Sequence, residues 1–161
     1  MGSEDNTGRP RANASPWPFD RTRYEVRVRS VLPSTKQSLN FGVEQVLRVV
    51  ENCCDLSHSR DDLEIALREA LANALIHGNK YGGNKRILMR CYAGASTGVL
   101  VVVRDEGDGF DPDKVPDPRD PDRMHLHHGR GIFLMRELMD HIEHRKGGRE
   151  IVLYKACASS E

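Results

Sequence analysis

The sequence predicts an α+β fold, a two-layer α/β sandwich with a mixed, mostly antiparallel sheet covered by helices on one face. Three observations carry that prediction. Leu63, Ala66, Leu67, Ala70, Leu71, Ala74 and Leu75 recur at three- and four-residue steps, which marks a helix with one buried face. Val99–Val103 is a short continuous apolar run bounded by glycine and charge, the pattern of a buried strand. The predicted elements then run strand, two helices, two strands, an aperiodic stretch, a helix and two strands, which two packed layers accommodate.

Taken in order, residues 1–20 mix Gly, Ser, Asn, Pro and charge with little to bury, and are expected to form a flexible arm. Trp17 and Phe19 are placed to tack its end onto the domain. Tyr24, Val26 and Val28 alternate with Glu25, Arg27 and Arg29, the period of a half-buried strand that Pro33-Ser34 ends. The charged side of that strand is ordinarily solvated, although it could serve as a partner surface. Val43, Val46, Leu47, Val50 and Cys54 form the stripe of a first helix. The second helix has Ser59 or Asp61 as candidate N-caps and Gly78 or Gly82-Gly83 as candidate stops.

Strands follow at 86–93 and 99–103, turned through Gly94–Gly98. Residues 106–128 are rich in Asp, Pro, Arg and His without periodicity, as expected of a functional lid or a disordered segment. A short helix over 131–139 and a hairpin of 141–146 with 150–155, turned at Gly147-Gly148, complete the domain. The expected boundaries are an arm over 1–20, one domain over 21–156 and a frayed C-terminal tail over 157–161.

Composition narrows the function classes. At 161 residues the chain suits one domain with a real core. Lys plus Arg equals Asp plus Glu at 24 each, so no overall basic field draws it to nucleic acid or membrane. No apolar run approaches the roughly 20 residues of a membrane span, and the polar N-terminus has no signal-peptide core. Cysteines at 53, 54, 91 and 157 lack the spacing of a zinc site or a secreted disulfide framework, which predicts a reduced cytoplasmic setting and a core role for Cys53-Cys54.

Three local patterns could carry chemistry. Glu69, Asn73 and His77 stand four residues apart, so they stack on one helix face. A mid-helix Asn lowers helix propensity, its amide oxygen suits Mg²⁺, and a carboxylate one turn away could take a proton from an attacking hydroxyl. A solvated polar face is the plainer alternative. Asp105 ends the apolar strand, and Gly107 and Gly109 strip away side chains so that a planar ring could approach, although Asp-Gly pairs are also ordinary turns. Asp105, Glu106, Asp108 and Asp111 lack the ligand order and closing Glu of a calcium loop. Gly129-Arg130-Gly131-Ile132 leads into a helix, where free N–H groups and the helix dipole favour phosphates, or where glycine merely marks a turn. His125, His127 and His128 have no fixed Cys or carboxylate partner, so a solvated lid is expected rather than a metal site.

In this order and spacing, Glu69-Ala-Leu-Ala-Asn73-Ala-Leu-Ile-His77-Gly78, Asp105-Glu-Gly107-Asp-Gly109-Phe110 and Gly129-Arg-Gly131-Ile-Phe-Leu-Met135 resemble the asparagine box and the two glycine boxes of the GHKL (Bergerat-fold) ATPases. The wording is similar to that of the bacterial anti-sigma factor serine/threonine kinases, over roughly residues 24–155. The resemblance implies binding of ATP or ADP with Mg²⁺ ligated by Asn73, and Glu69 as general base. It implies Asp105 holding the adenine amino group beside Gly107 and Gly109, and Gly129, Arg130, Gly131 and Ile132 wrapping the phosphates. His77 matches the motif, either behind the nucleotide or touching it. The match departs before Gly129, where members often carry Arg and this chain has His127-His128, with Arg123 and Arg130 nearby.

The implied function is an ATP-dependent serine/threonine protein kinase and anti-sigma factor in partner switching, which phosphorylates a small antagonist (STAS-type) protein and binds a sigma factor. The alternative is a nucleotide-gated protein-binding module of the same fold with little or no kinase activity. A homodimer through the first strand is a family implication, and neither nucleic acid nor membrane is expected to bind. A histidine kinase is disfavoured, because His58 is the only histidine before the Glu69 helix and falls in a predicted turn.

Overall fold

A computed structural model describes residues 23–117, 119 and 129–158, apart from the side chain of Val26. The proposed arm with Trp17 and Phe19, and the stretch holding Arg123, His125, His127 and His128, lie outside the described residues. In chain order the elements are β1 (Val26–Pro33), α1 (Lys36–Glu51), α2 (Arg60–Asn73), β2 (Arg86–Gly94), β3 (Gly98–Arg104), α3 (Arg130–Leu138), β4 (His141–Arg145) and β5 (Glu150–Lys155). The strands form one sheet in the order β1-β2-β3-β5-β4. All four pairings are antiparallel, so the parallel component allowed for in the sequence prediction is absent among the described residues.

The α2 stripe read from the sequence is the centre of the core. Leu63, Ala66, Leu67, Ala70, Leu71, Ala74 and Leu75 are all buried, together with Val43, Val46, Leu47 and Val50 of α1 and Ile132 and Met135 of α3. They pack on the inward residues of the sheet, among them Leu32, Ile87, Met89, Cys91, Val101, Val103, Ile151 and Leu153. Gly42 lets α1 settle closely, because a Cβ there would meet Leu32 and Leu71 at 3.0 and 3.2 Å. Thr35 caps α1 through its hydroxyl to the Ser38 N–H. Ser59 precedes α2 without a side-chain cap bond.

The other sheet face is not simply solvated. Tyr24, Tyr92, Leu100, Val102 and Val152 form a second buried apolar cluster there. This explains why β3 reads as an unbroken apolar run: its two sets of side chains both enter dry surroundings. It also corrects the strand pattern at the start of the domain. Val28 joins the helix-side core, whereas Tyr24 packs on Tyr92 on the opposite face, with ring centroids 5.9 Å apart. The strand starts at Val26, so its alternation does not govern Tyr24.

The cysteines provide a second correction. Helix α1 stops at Glu51, so Cys54 lies beyond its stripe, and it forms a disulfide with Cys157. Sequence spacing hid the pair because 103 positions separate them, and β5 brings the chain back beside the end of α1. Residues past β5 are correspondingly tied down. Ala156 N–H donates to Asp140 Oδ2 at 2.7 Å and Ala158 N–H to the Asp55 carbonyl at 2.8 Å. Fraying is therefore not found at Cys157 and Ala158. Closing so long a loop restricts the unfolded chain, so dithiothreitol is expected to lower the unfolding free energy by about 2–4 kcal/mol. Urea titration of wild type with and without reductant checks this, and Cys157→Ala should match the reduced protein and be insensitive to reductant.

Candidate functional site

Helix α2 does not end in a simple glycine cap. After Asn73 the backbone widens into a π-helical turn over Ala74–Gly78, closed by the Asn79 N–H on the Ala74 carbonyl at 2.8 Å. Such turns are uncommon and recur at functional sites. Here the turn carries His77 and Gly78 to the C-terminal end of β3. Gly78 must be glycine, because a Cβ would overlap the Asp105 carboxyl group. Gly107 must be glycine for the complementary reason, since its Cβ would strike the Gly78 carbonyl. The helix end and the turn after β3 therefore meet backbone to backbone.

Asn79 locks this junction, and sequence reasoning missed it. Its side chain is fully buried. The amide nitrogen donates to Ser34 Oγ at 2.6 Å and to the Arg86 carbonyl at 2.9 Å, while the amide oxygen accepts from the Glu106 N–H at 2.8 Å. One residue thus joins the ends of β1, β2 and β3. Its only sequence signal was an asparagine just after a helix, which also fits a cap.

Asp105 sits at the end of β3 with its N–H on the Arg149 carbonyl at 2.9 Å. Oδ1 accepts from the Gly107 N–H at 2.7 Å, and Oδ2 has no hydrogen bond among the described residues. Burial raises the Asp105 pKa above the ordinary aspartate value, opposed by the Gly107 N–H and by the charges of Arg149 and Lys85. The turn then runs through Gly109, at φ 80°, to Phe110, whose N–H donates to the Gly147 carbonyl at 2.9 Å. Gly148 leaves room for Phe110 to press against the hairpin. The Gly147-Gly148 turn, read from sequence as a plain hairpin bend, is in fact stitched to the Asp105–Phe110 segment.

The third pattern closes the site. Gly129 takes φ 95° and starts α3. α3 packs beside α2 so closely that a Cβ on Gly131 would lie 2.6 Å from Glu69 Oε2 and 3.6 Å from Asn73 Nδ2. Glu69 and Asn73 therefore share one helix face and converge on Gly131, in the first turn of α3. Neither side chain has a hydrogen bond or ion pair among the described residues. Ahead of α3, Arg119 pairs with Asp117 at 2.7 Å and lies 4.9 Å over the Phe133 ring.

The space between these parts is a cleft of about 480 Å³, within the range of small-molecule sites. Glu69, Asn73, His77, Asp105, Gly109, Gly129, Arg130, Gly131 and Ile132 line it. Gly107 alone among the sequence candidates does not, because it is buried behind Asp105 against Gly78. Phe110, His144 and Arg149 line the cleft without having been expected there. Grooves of similar volume beside Phe41 on α1 and over Arg27, Arg90 and Arg104 lack this convergence of glycine backbone and unpaired polar groups. Among the described residues no cluster of His, Cys, Asp and Glu could hold a metal ion, and no helix is long and apolar enough to cross a membrane.

A helix with a carboxylate and an asparagine faces a glycine-led helix, and a buried aspartate at a strand end closes the same cleft. Residues 33–155 match the family profile of the histidine kinase-like ATPase domain, and the chain belongs to that family. Within it, the chain falls with the GHKL anti-sigma factor kinases. It is 33% identical over 106 residues to the anti-sigma F factor of Clostridium acetobutylicum, a match covering 63% of this chain and 73% of that protein.

Because Asn79 alone satisfies three groups at the junction, Asn79→Ala should strand them and lower stability by about 2–4 kcal/mol. Urea denaturation measures the loss, and amide hydrogen exchange should show the Glu106 N–H losing protection while β3 amides keep theirs.

Proposed function

We propose that this chain is an ATP-dependent serine/threonine protein kinase and anti-sigma factor, which phosphorylates a small STAS-type antagonist and binds a sigma factor. The observation that carries it is the convergence of the unpaired Glu69 and Asn73 on Gly131 at the start of α3. A nucleotide-binding domain alone needs no carboxylate there. A kinase needs one within reach of the phosphates and free of protein partners.

In this mechanism Asp105 Oδ2 accepts a hydrogen bond from the adenine amino group, and Gly109 admits the ring. Backbone N–H groups from Gly129 to Ile132 and the positive end of α3 hold the phosphates, with Arg130 beside them. The donor chemistry fits Mg²⁺: Asn73 would hold it through a hard amide oxygen, with the remaining ligands supplied by phosphates and water. When bound, Mg²⁺ neutralises charge on the phosphate oxygens. Glu69 takes the proton from the attacking Ser or Thr hydroxyl as its oxygen bonds to the γ-phosphorus and the bond to the ADP oxygen breaks. His77 lines the same wall.

Two substitutions separate chemistry from binding. Glu69→Ala should lower phosphotransfer to the antagonist by about 10²–10⁴-fold, while Mg-ATP affinity stays within about threefold, read by radiolabel transfer and calorimetry. Full partner switching by Glu69→Ala without phosphotransfer would instead favour nucleotide-gated binding.

Asp105→Asn should lower Mg-ATP affinity by about 10–100-fold, the worth of a hydrogen bond to a charged group. Its effect on the free protein runs the other way. A raised folded pKa means that ionising Asp105 costs stability as pH rises through that pKa. The variant should therefore be at least as stable as wild type at pH 7, with the gap closing below about pH 4, the unfolded value. Melting curves across pH test the sign.

A further inference from the structure

His144 occupies an inward position of β4. Its cross-strand partner is Ile151, and the preceding inward residue, Ile142, packs on the main core. The outward neighbours Glu143 and Arg145 bond to each other at 2.8 and 2.9 Å. Strand patterning calls for an apolar residue at 144, and a half-buried imidazole stands there instead. Local rules of this kind are broken mainly where function requires it.

Three facts show where the ring looks. It lines the same cleft as Asp105, Phe110 and Arg149. It meets Phe110 edge-on, with centroids 5.4 Å apart and planes at 75°. Neither ring nitrogen has a hydrogen bond among the described residues. Burial and the nearby Arg136 lower the His144 pKa, so the ring is neutral and presents one donor and one acceptor. The Phe110 backbone is bonded to Gly147 and its ring lies against Gly148. The hairpin thus places an aromatic pair at the Asp105 end of the cleft.

A purely structural histidine explains this poorly. The half-buried imidazole lines the cleft with no protein partner on either nitrogen, where a valine would serve packing as well. A cleft ligand carrying its own donors and acceptors would meet both nitrogens. Resting on the nucleotide reading above, we propose that His144 is a ligand-contacting residue that hydrogen-bonds the adenosine moiety, with Phe110 bracing its ring.

The test is calorimetry of Mg-ATP and Mg-ADP on wild type, His144→Val and His144→Asn, with melting temperatures measured alongside. His144→Val should lose about tenfold in affinity, the worth of one good hydrogen bond. The loss should be equal for ATP and ADP, because the contact is not to the γ-phosphate, and the free variant should melt at or above wild type. His144→Asn keeps a donor and an acceptor and should recover part of the affinity. In wild type, the His144 ring nitrogen signals should move on adding Mg-ADP. A folded His144→Val with unchanged affinity, or with a loss confined to ATP, overturns the assignment. Wild type that binds neither nucleotide overturns the nucleotide site itself, a different result from wild-type binding that His144→Val leaves intact.

Discussion

The contact between the end of α2 and the end of β3 is the constraint on which the site depends. Two glycines, Gly78 and Gly107, allow it, and the Asp105 carboxyl group fills the space between them. A single methyl group on either would drive the helix and the turn apart. Asn79 then fixes the junction from behind, using one buried amide to satisfy Ser34, Arg86 and Glu106. Buried polar networks repay their desolvation only when every member is paired, and this one is. The π-helical turn follows from the same demand. An α-helix continued past Asn73 would follow a different path, whereas one extra residue in the turn brings Gly78 onto Asp105.

The cleft opens where that satisfied network stops. Behind the junction the Asn79 amide makes three hydrogen bonds, whereas in front of it Glu69, Asn73, Asp105 Oδ2 and His144 have no partner among the described residues. Four such groups opening on one 480 Å³ cleft leave donors and acceptors for a ligand to meet. The raised pKa of Asp105 belongs to the same picture: burial penalises the carboxylate by more than the Gly107 N–H and the charges of Arg149 and Lys85 offset.

What the sequence made legible follows from what is local. The α2 stripe, the β3 run and the hairpin are periodic patterns, and each forms within a few residues of its expected bounds. Glu69 and Asn73 share a face because a helix puts them there, whatever the tertiary structure. Asp105 and the glycines of 107–109 and 129–131 were found by their order along the chain. Apart from the π-helical turn, the missed features are long-range. Asn79 acts on residues 45 positions earlier and 27 later. Cys54 meets Cys157 only because β5 returns to the end of α1. Tyr24 crossed to the other sheet face, where a second cluster waits that no pattern in residues 23–33 announces. Gly107, a candidate by its order along the chain, seats the turn against Gly78 and does not line the cleft.

The two ends of the cleft are built from different materials, and this bears on how a nucleotide could be read out. The Asp105 end is fixed by backbone bonds from Asp105 to Arg149 and from Phe110 to Gly147, in the turns at the ends of the paired strands β3 and β5. The Gly131 end is the first turn of a nine-residue helix held by packing on α2, with the Asp117–Arg119 pair leaning on Phe133 from outside. A ligand that engages only the first end meets a surface already in place. One that also bears a γ-phosphate adds its interaction at α3, the helix whose Phe133 carries Arg119 on its ring. On the proposed function, the difference between ATP and ADP would be transmitted from that helix start. Substitutions at Arg119 should then change the ATP-to-ADP affinity ratio while leaving the Asp105 end untouched.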